Sequence, residues 1–297
     1  MRKDITFNSK GLRCAGWLYI PDGLTAGRKG PAIVMAHGFS AVKEMYLDRF
    51  ADRFVAAGFV VLVFDYRRLG ESEGEPRGQL FPHDQHEDYR NAITWLSDQP
   101  QVDPERIGVW GSSLSGAHVI HLGSVDRRIK AVVAQIPALL SGESRRIADL
   151  QKFNQVSSFL LRDRIARYKT GAVNYQKVVA RKGEPCVLDA PDAYEWFTEA
   201  AKIAPTWFNG VTLESLEYSL QYDPARYIQF VAPTPLLIIV AEQDSLIPAA
   251  VIIQAYERAR DPKELMLLPC GHFSLYATEP WFSKAVAAEV KWFETYL

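Results

Sequence analysis

Three serines lie close together in the segment Arg106–Gly116, where an apolar run is followed by small residues and then by a helix-like pattern. A nucleophilic serine needs such a strand–turn–helix junction, because a tight turn lifts its side chain above the sheet and bulky neighbours would clash. The frame Gly-x-Ser-x-small fits best when it is centred on Ser113, since frames centred on Ser112 or Ser115 lack the first glycine. The pattern therefore predicts Ser113 as a nucleophile, against the alternative of a helix N-cap in a serine-rich turn.

A serine hydroxyl becomes a useful nucleophile only when a base removes its proton, and the chain has six histidines. His272 directly follows the last apolar run, which places it at the carboxyl edge of a sheet, where sites of open α/β proteins gather. Asp244 follows the preceding apolar run and would fix the tautomer of this histidine. Glu242 is the runner-up for the acid. The sequence thus predicts a triad of Ser113, Asp244 and His272.

The triplet His37-Gly38-Phe39 follows another buried run and predicts half of an oxyanion hole. We expect the backbone N–H groups of Phe39 and Leu114 to hold the developing negative charge of a tetrahedral intermediate. Gly38 would let the backbone approach the substrate closely. Four residues near these loops are expected to contact the substrate: His37, Gly38, Tyr66 and Tyr276.

Strand and helix patterns alternate along most of the chain, which predicts an α/β fold with a mostly parallel, doubly wound sheet. One helix is predicted over Lys43–Ala57 from its apolar spacing. The alternation breaks at about Ala138 and resumes at Thr234, with a mostly helical, aromatic-rich stretch between. We therefore predict a core made of residues 1–139 and 226–297 and an inserted helical cap at 140–225, whose aromatic side chains should wall a substrate pocket.

The predicted cap is electrically uneven. Residues 145–182 are strongly basic and residues 183–222 are acidic. One interpretation is that the two halves attract each other or are solvated surfaces. The alternative is that the basic half binds an anionic carrier protein or a coenzyme A thioester. Arg162, Arg164 and Arg167 are the residues that would distinguish these readings.

Composition excludes several classes of protein. The 297 residues are 48% hydrophobic and 23% charged, with a net charge of −1, so neither disorder nor a general affinity for nucleic acid or membranes is indicated. Cys14, Cys186 and Cys270 are odd in number and far apart, which predicts no disulfide framework and no zinc knuckle. No apolar run approaches the roughly 20 residues that span a bilayer, and Met1–Gly16 lacks the apolar core of a signal peptide. A cytoplasmic protein without a metal or organic cofactor is expected.

These motifs together resemble the α/β-hydrolase superfamily over nearly the whole chain apart from the predicted cap. Asp65–Gly74 resembles the D-x-R-G-x-G-x-S-x-G loop that is common in that superfamily. Arg68 stands where this motif usually has glycine, which predicts that the loop has a different conformation here. The segment Gly111–Gly116 resembles the G-x-S-x-S-G elbow of the dienelactone-hydrolase-like, X-Pro dipeptidyl-peptidase (S15)-like and polyketide transferase-like branches. Because true dienelactone hydrolases use a cysteine nucleophile where this chain has Ser113, their substrate class is not implied.

The function expected from the triad is hydrolysis of carboxylic esters of small to medium apolar acids through an acyl-enzyme. The same triad would also serve a thioesterase, an acyl or polyketide transferase, or an amidase or peptidase, and a non-catalytic binding protein on the same fold is a further alternative. A small-molecule substrate is the expected partner, and a homodimer is a further hypothesis.

Overall fold

The computed structural model describes residues 1–24 and 27–297. Its ten strands are β1 (Arg2–Ser9), β2 (Leu12–Tyr19), β3 (Gly30–Ala36), β4 (Val60–Phe64), β5 (Val102–Ser112), β6 (Ile129–Gln135), β7 (Tyr175–Gln176), β8 (Val211–Thr212), β9 (Leu236–Ala241) and β10 (Lys263–Leu268). Its helices are α1 (Leu47–Ala56), α2 (Pro82–Ser97), α3 (Leu114–Val125), α4 (Gly142–Ala148), α5 (Leu150–Thr170), α6 (Pro191–Ala200), α7 (Leu213–Gln221), α8 (Ala249–Arg258), α9 (Ser274–Ala277) and α10 (Trp281–Tyr296), with a 3₁₀ helix at Pro224–Phe230.

Eight of the strands form one sheet in the order β1-β2-β4-β3-β5-β6-β9-β10. The strands from β4 to β10 in this order run parallel, whereas β1 and β2 add an antiparallel edge. Every residue of β4 and of β9 is buried, as expected for strands that helices cover on both faces. The predicted mostly parallel, doubly wound sheet is confirmed.

Helix α1 begins at Leu47, four residues later than the apolar spacing predicts. The reason lies in Lys43, whose backbone N–H and Nζ both bind the buried carboxylate of Asp65, at 2.7 and 2.9 Å. Tyr46 then has a φ of 69°, a left-handed conformation that an α-helix cannot contain. This junction ties the loop after β3 to the loop after β4.

Arg68 retains a conformation that usually favours glycine, with a φ of 68°. Its guanidinium donates to Asp84 Oδ2 at 2.8 Å and to the Glu75 carbonyl at 3.2 Å. Through these contacts the Arg68 side chain fastens this loop to the start of α2.

The segment 140–225 lies between β6 and β9 and is largely helical, with α4, α5, α6 and α7 and the small antiparallel ribbon β7–β8. Its treatment as a separate cap remains a prediction. Within the described parts of the chain, none of the helices combines the length and the apolar character needed to cross a bilayer.

Helix α10 carries a fully buried carboxyl group, that of Glu289. Burial raises the pKa of Glu289 to about 8, so the folded protein keeps this proton while an unfolded glutamate, with its ordinary pKa of about 4.3, releases it. The stability of the fold should therefore fall as the pH rises from about 4.5 to about 8.

We expect Glu289→Gln to remove most of this pH dependence, because the amide has no proton to lose. Urea denaturation at pH 5, 6.5 and 8 should show the free energy of unfolding of the parent falling by a few kcal/mol relative to the variant. An identical pH slope in both proteins would mean that Glu289 does not titrate in this range.

Candidate active site

The backbone is strained at Ser113, which joins β5 to α3 with a φ of 54° and a ψ of −114°. Gly111 makes this turn feasible, since a Cβ there would lie 2.2 Å from the Ser115 carbonyl oxygen. Ser112 and Ser115 are fully buried and make hydrogen bonds elsewhere. Among the three serines, Ser113 alone has the conformation of a nucleophile elbow.

His272 and Asp244 meet at the carboxyl edge of the sheet, after β10 and β9. The Nδ1 atom of His272 lies 2.6 Å from Asp244 Oδ2, and both side chains are buried. The other carboxylate oxygen, Oδ1, accepts the backbone N–H groups of Leu246 and Ile247 at 2.8 and 2.9 Å. The carboxylate is thereby fixed in rotation, with one oxygen directed at the imidazole. Glu242, the alternative acid, is exposed.

Ser113 and His272 line the same cavity. No hydrogen bond joins these two described side chains, and such bonds often tighten only when a substrate binds. The cavity has a volume of about 30 Å³, which is room for one or two water molecules. Its described lining consists of His37, Gly38, Phe39, Ala41, Ser113, Leu188, Trp196, Phe197, Leu246, His272, Phe273 and Tyr276.

The predicted oxyanion loop is held by the ring of His37. Its Nδ1 accepts the Gly38 N–H at 2.8 Å, so Nε2 carries the proton and donates to the Met45 carbonyl at 2.8 Å. Burial lowers the pKa of His37 to about 4, which keeps this imidazole neutral near pH 7. Because the Gly38 N–H is already used, the next one, on Phe39, is the group left to face a ligand.

The two predicted oxyanion donors lie at a close junction of loop and elbow. A Cβ on Gly38 would lie 2.8 Å from the Ser113 Cβ, so only glycine permits this approach. Neither the Phe39 N–H nor the Leu114 N–H donates a hydrogen bond to a described residue. For Leu114 this follows from its place at the start of α3, where N–H groups have no partner within the helix.

The two tyrosines expected at the substrate have different positions. Tyr276 lines the cavity, with its ring stacked on His37 at a centroid distance of 5.1 Å. Tyr66 does not line it, because its side chain lies beneath the elbow, where its hydroxyl is 2.6 Å from Ser115 Oγ. This position gives Tyr66 a structural contact in place of the expected substrate contact.

The aromatic wall of the cavity is shared between α6, which supplies Trp196 and Phe197, and other segments, which supply Phe39, Phe273 and Tyr276. Trp196 stacks on Phe273 at 5.0 Å and lies 5.0 Å from the Tyr276 ring, while Phe197 packs beside it. Aromatic composition indicates such a wall, but it does not single out α6: Tyr168 in α5, from the same aromatic-rich stretch, is 92% exposed. Leu188 was not foreseen, since nothing in its local sequence distinguishes it.

Within residues 1–24 and 27–297, the histidine, cysteine, aspartate and glutamate side chains form no group of three or more that could hold a metal ion.

Comparison with known proteins places this geometry in a family. The chain is 32% identical over 292 residues to the quorum-quenching protein AidA of Acinetobacter baumannii, which covers 97% of this chain and 92% of AidA. It is 32% identical over 269 residues to the thiohydrolase aneE of Aspergillus aculeatus, covering 86% and 80% of the two chains. The crystal structure of the α/β-hydrolase GrgF from Penicillium superposes with a TM-score of 0.83 at 24% identity, covering 100% and 99%.

These matches agree with the eight-stranded sheet in showing an α/β-hydrolase fold. A family model described as X-Pro dipeptidyl-peptidase (S15 family) matches residues 10–274, most of the 297. The chain therefore belongs to the S15 family of α/β-hydrolases.

Proposed function

We propose that this protein is a serine hydrolase that cleaves carboxylic esters of small to medium apolar acids. The observation that carries the proposal is one cavity faced by both Ser113, on its strained turn, and His272, bound to Asp244. A strained serine, an oriented imidazole and two unused N–H groups are the parts that acyl transfer requires.

In the proposed reaction, Ser113 Oγ attacks the ester carbonyl while its proton passes to His272 Nε2. The carbonyl oxygen becomes an oxyanion held by the N–H groups of Phe39 and Leu114, each worth roughly 3 kcal/mol of transition-state stabilisation. The C–O bond to the alcohol breaks as His272 returns the proton to the leaving oxygen. A water molecule, deprotonated by His272, then releases the acid from the acyl-enzyme.

The lining of the cavity supports an apolar acyl group. None of the described residues around it has a carboxylate, ammonium or guanidinium group. A peptidase that removes an N-terminal dipeptide must hold a buried α-ammonium group, which requires a negative partner. For this reason we propose ester cleavage rather than the peptidase activity in the family's description.

Trp196 is expected to limit the length of the acyl group, because its large indole lines the same small cavity as Ser113. In Trp196→Ala, kcat/KM for p-nitrophenyl octanoate relative to p-nitrophenyl acetate should rise roughly 10-fold or more, since methylenes gain apolar room. Tyr194→Ala is the matched control, an aromatic truncation on the same helix outside the cavity lining. An equal change in both variants would point to a general loosening of α6.

A thioester substrate or an acyl acceptor other than water is the second candidate, favoured by the thiohydrolase relative. The basic residues of segment 140–225 give this second candidate less support in the structure than in the sequence. Arg164 and Arg167 both pair with Glu217, at 2.9 and 2.7 Å, and Arg167 also pairs with Glu214. These arginines chiefly join α5 to α7.

Fluorophosphonate labelling of the purified protein, followed by peptide mapping, tests the proposal. We expect one adduct, on Ser113. Butyryl esters of p-nitrophenol and butyryl coenzyme A, which carry the same acyl group, would then separate the two candidate substrates. A folded protein that takes up no label would favour a non-catalytic binding role.

A further inference from the structure

A chain of hydroxyl groups joins the nucleophile elbow to the predicted oxyanion loop. Ser115 Oγ donates to the His37 carbonyl, and the Tyr66 hydroxyl lies 2.6 Å from Ser115 Oγ. Because Ser115 gives its proton to the carbonyl, Tyr66 must be the donor to Ser115. All three residues are buried, so water does not compete for these bonds.

The ends of this chain lie next to the two proposed oxyanion donors. Ser115 directly follows Leu114, and His37 lies two residues before Phe39. The bond from Ser115 to His37 therefore links the two halves of the oxyanion hole across 78 residues of sequence.

The same bond also fixes the orientation of a peptide unit. The His37 carbonyl and the Gly38 N–H belong to one plane, and Gly38 donates to the ring of His37. Because Ser115 binds the carbonyl and the His37 ring binds the N–H, both polar groups of this peptide unit have partners. The orientation of this unit in turn sets the direction of the Phe39 N–H, which belongs to the next peptide unit. Without the hydroxyl, the buried carbonyl would lose this partner and the plane would tend to rotate toward another donor.

We propose that Ser115, oriented by Tyr66, is a positioning residue that sets the spacing of the Phe39 and Leu114 N–H groups. This inference rests on the proposed function. It also gives a reason for serine at the fifth position of the elbow motif, where the G-x-S-x-G pattern has glycine: glycine has no hydroxyl to reach the loop.

The test compares Ser115→Ala and Ser115→Gly with the parent, using p-nitrophenyl butyrate. We expect kcat to fall roughly 10- to 100-fold with KM within about threefold, because a misplaced donor weakens binding of the transition state more than of the substrate. Affinity for an alkyl trifluoromethyl ketone, whose adduct carries an oxyanion, should fall by the same factor as kcat/KM. If Ser115 had a purely structural role, the loss of affinity for the ketone would not match the loss of kcat/KM.

Two further variants keep the outcome interpretable. Tyr66→Phe should lower kcat by a smaller factor, and it should have no added effect when combined with Ser115→Ala, since it acts only through that hydroxyl. Ser124→Ala is the matched control: it removes a buried hydroxyl on the same helix, α3, that donates to the His121 carbonyl and lies outside the cavity lining. Its kcat should stay within about threefold of the parent.

Fluorophosphonate labelling separates the two proposals. A parent protein that is not labelled at Ser113 would overturn the proposed function itself. Two results would overturn the positioning role alone, provided that the parent is labelled. One is a kcat of Ser115→Ala within threefold of the parent. The other is a double variant in which the effects of Tyr66→Phe and Ser115→Ala on kcat simply add.

Discussion

Ser113→Ala is expected to lower ester turnover by roughly 10⁶-fold, the size of loss found when a serine hydrolase loses its nucleophile. The alanine has no oxygen to form the acyl-enzyme, whereas the fold should change little because Ser113 makes no buried side-chain hydrogen bond with another described residue. Hydrolysis of p-nitrophenyl butyrate and fluorophosphonate uptake should both disappear, with an unchanged thermal midpoint.

Two other serines provide the comparison for this result. Ser124→Ala should retain activity, and Ser115→Ala should have an activity between those of Ser124→Ala and Ser113→Ala, so the three variants form a graded series. Turnover by Ser113→Ala at the level of the parent would mean that another group carries the reaction.

Asp244→Asn is expected to lower kcat by about 10⁴-fold. The structure indicates why the amide should be so harmful. The backbone N–H groups of Leu246 and Ile247 bind one carboxylate oxygen, and an asparagine must keep its carbonyl oxygen there to accept them. Its NH₂ group then faces His272 Nδ1, which forces that atom to accept a hydrogen bond and moves the proton to Nε2, where the base is needed.

The measurement is kcat for a p-nitrophenyl ester across pH 6 to 9 in Asp244→Asn and in Glu242→Gln. The Glu242 carboxylate is exposed and makes no hydrogen bond with a described residue, so its amide variant should match the parent. A large loss in Glu242→Gln with little in Asp244→Asn would reassign the acid.

Local sequence predicts the junctions of this fold well, because their requirements are local. The turn at Ser113 needs small neighbours, and Gly111 meets that need within two residues. Asp244 follows the buried strand β9 and His272 follows the edge strand β10, and parallel strands bring such ends to one edge of a sheet. These features depend on spacing and residue type, both of which can be read directly.

Contacts between distant segments were not accessible in this way. Helix α1 starts late because Lys43 binds Asp65, a partner 22 residues away that helical periodicity does not take into account. Tyr66 follows a strand end, as site residues often do, yet its hydroxyl turns to Ser115 beneath the elbow. The selection of Trp196 over other aromatic residues for the cavity depends on how α6 packs against the loop after β10.

The small cavity at Ser113 has a consequence for the fate of an acyl group in the proposed reaction. A cavity with room for one or two water molecules holds no reserve of solvent once an acyl chain occupies it. In the proposed reaction, the molecule that releases the acyl group must therefore enter from solvent past the wall of the cavity, which includes Leu188, Trp196 and Phe197. The partition between hydrolysis and transfer then depends on which acceptors pass this wall, so substitutions there should redirect the product without altering the chemistry at the serine.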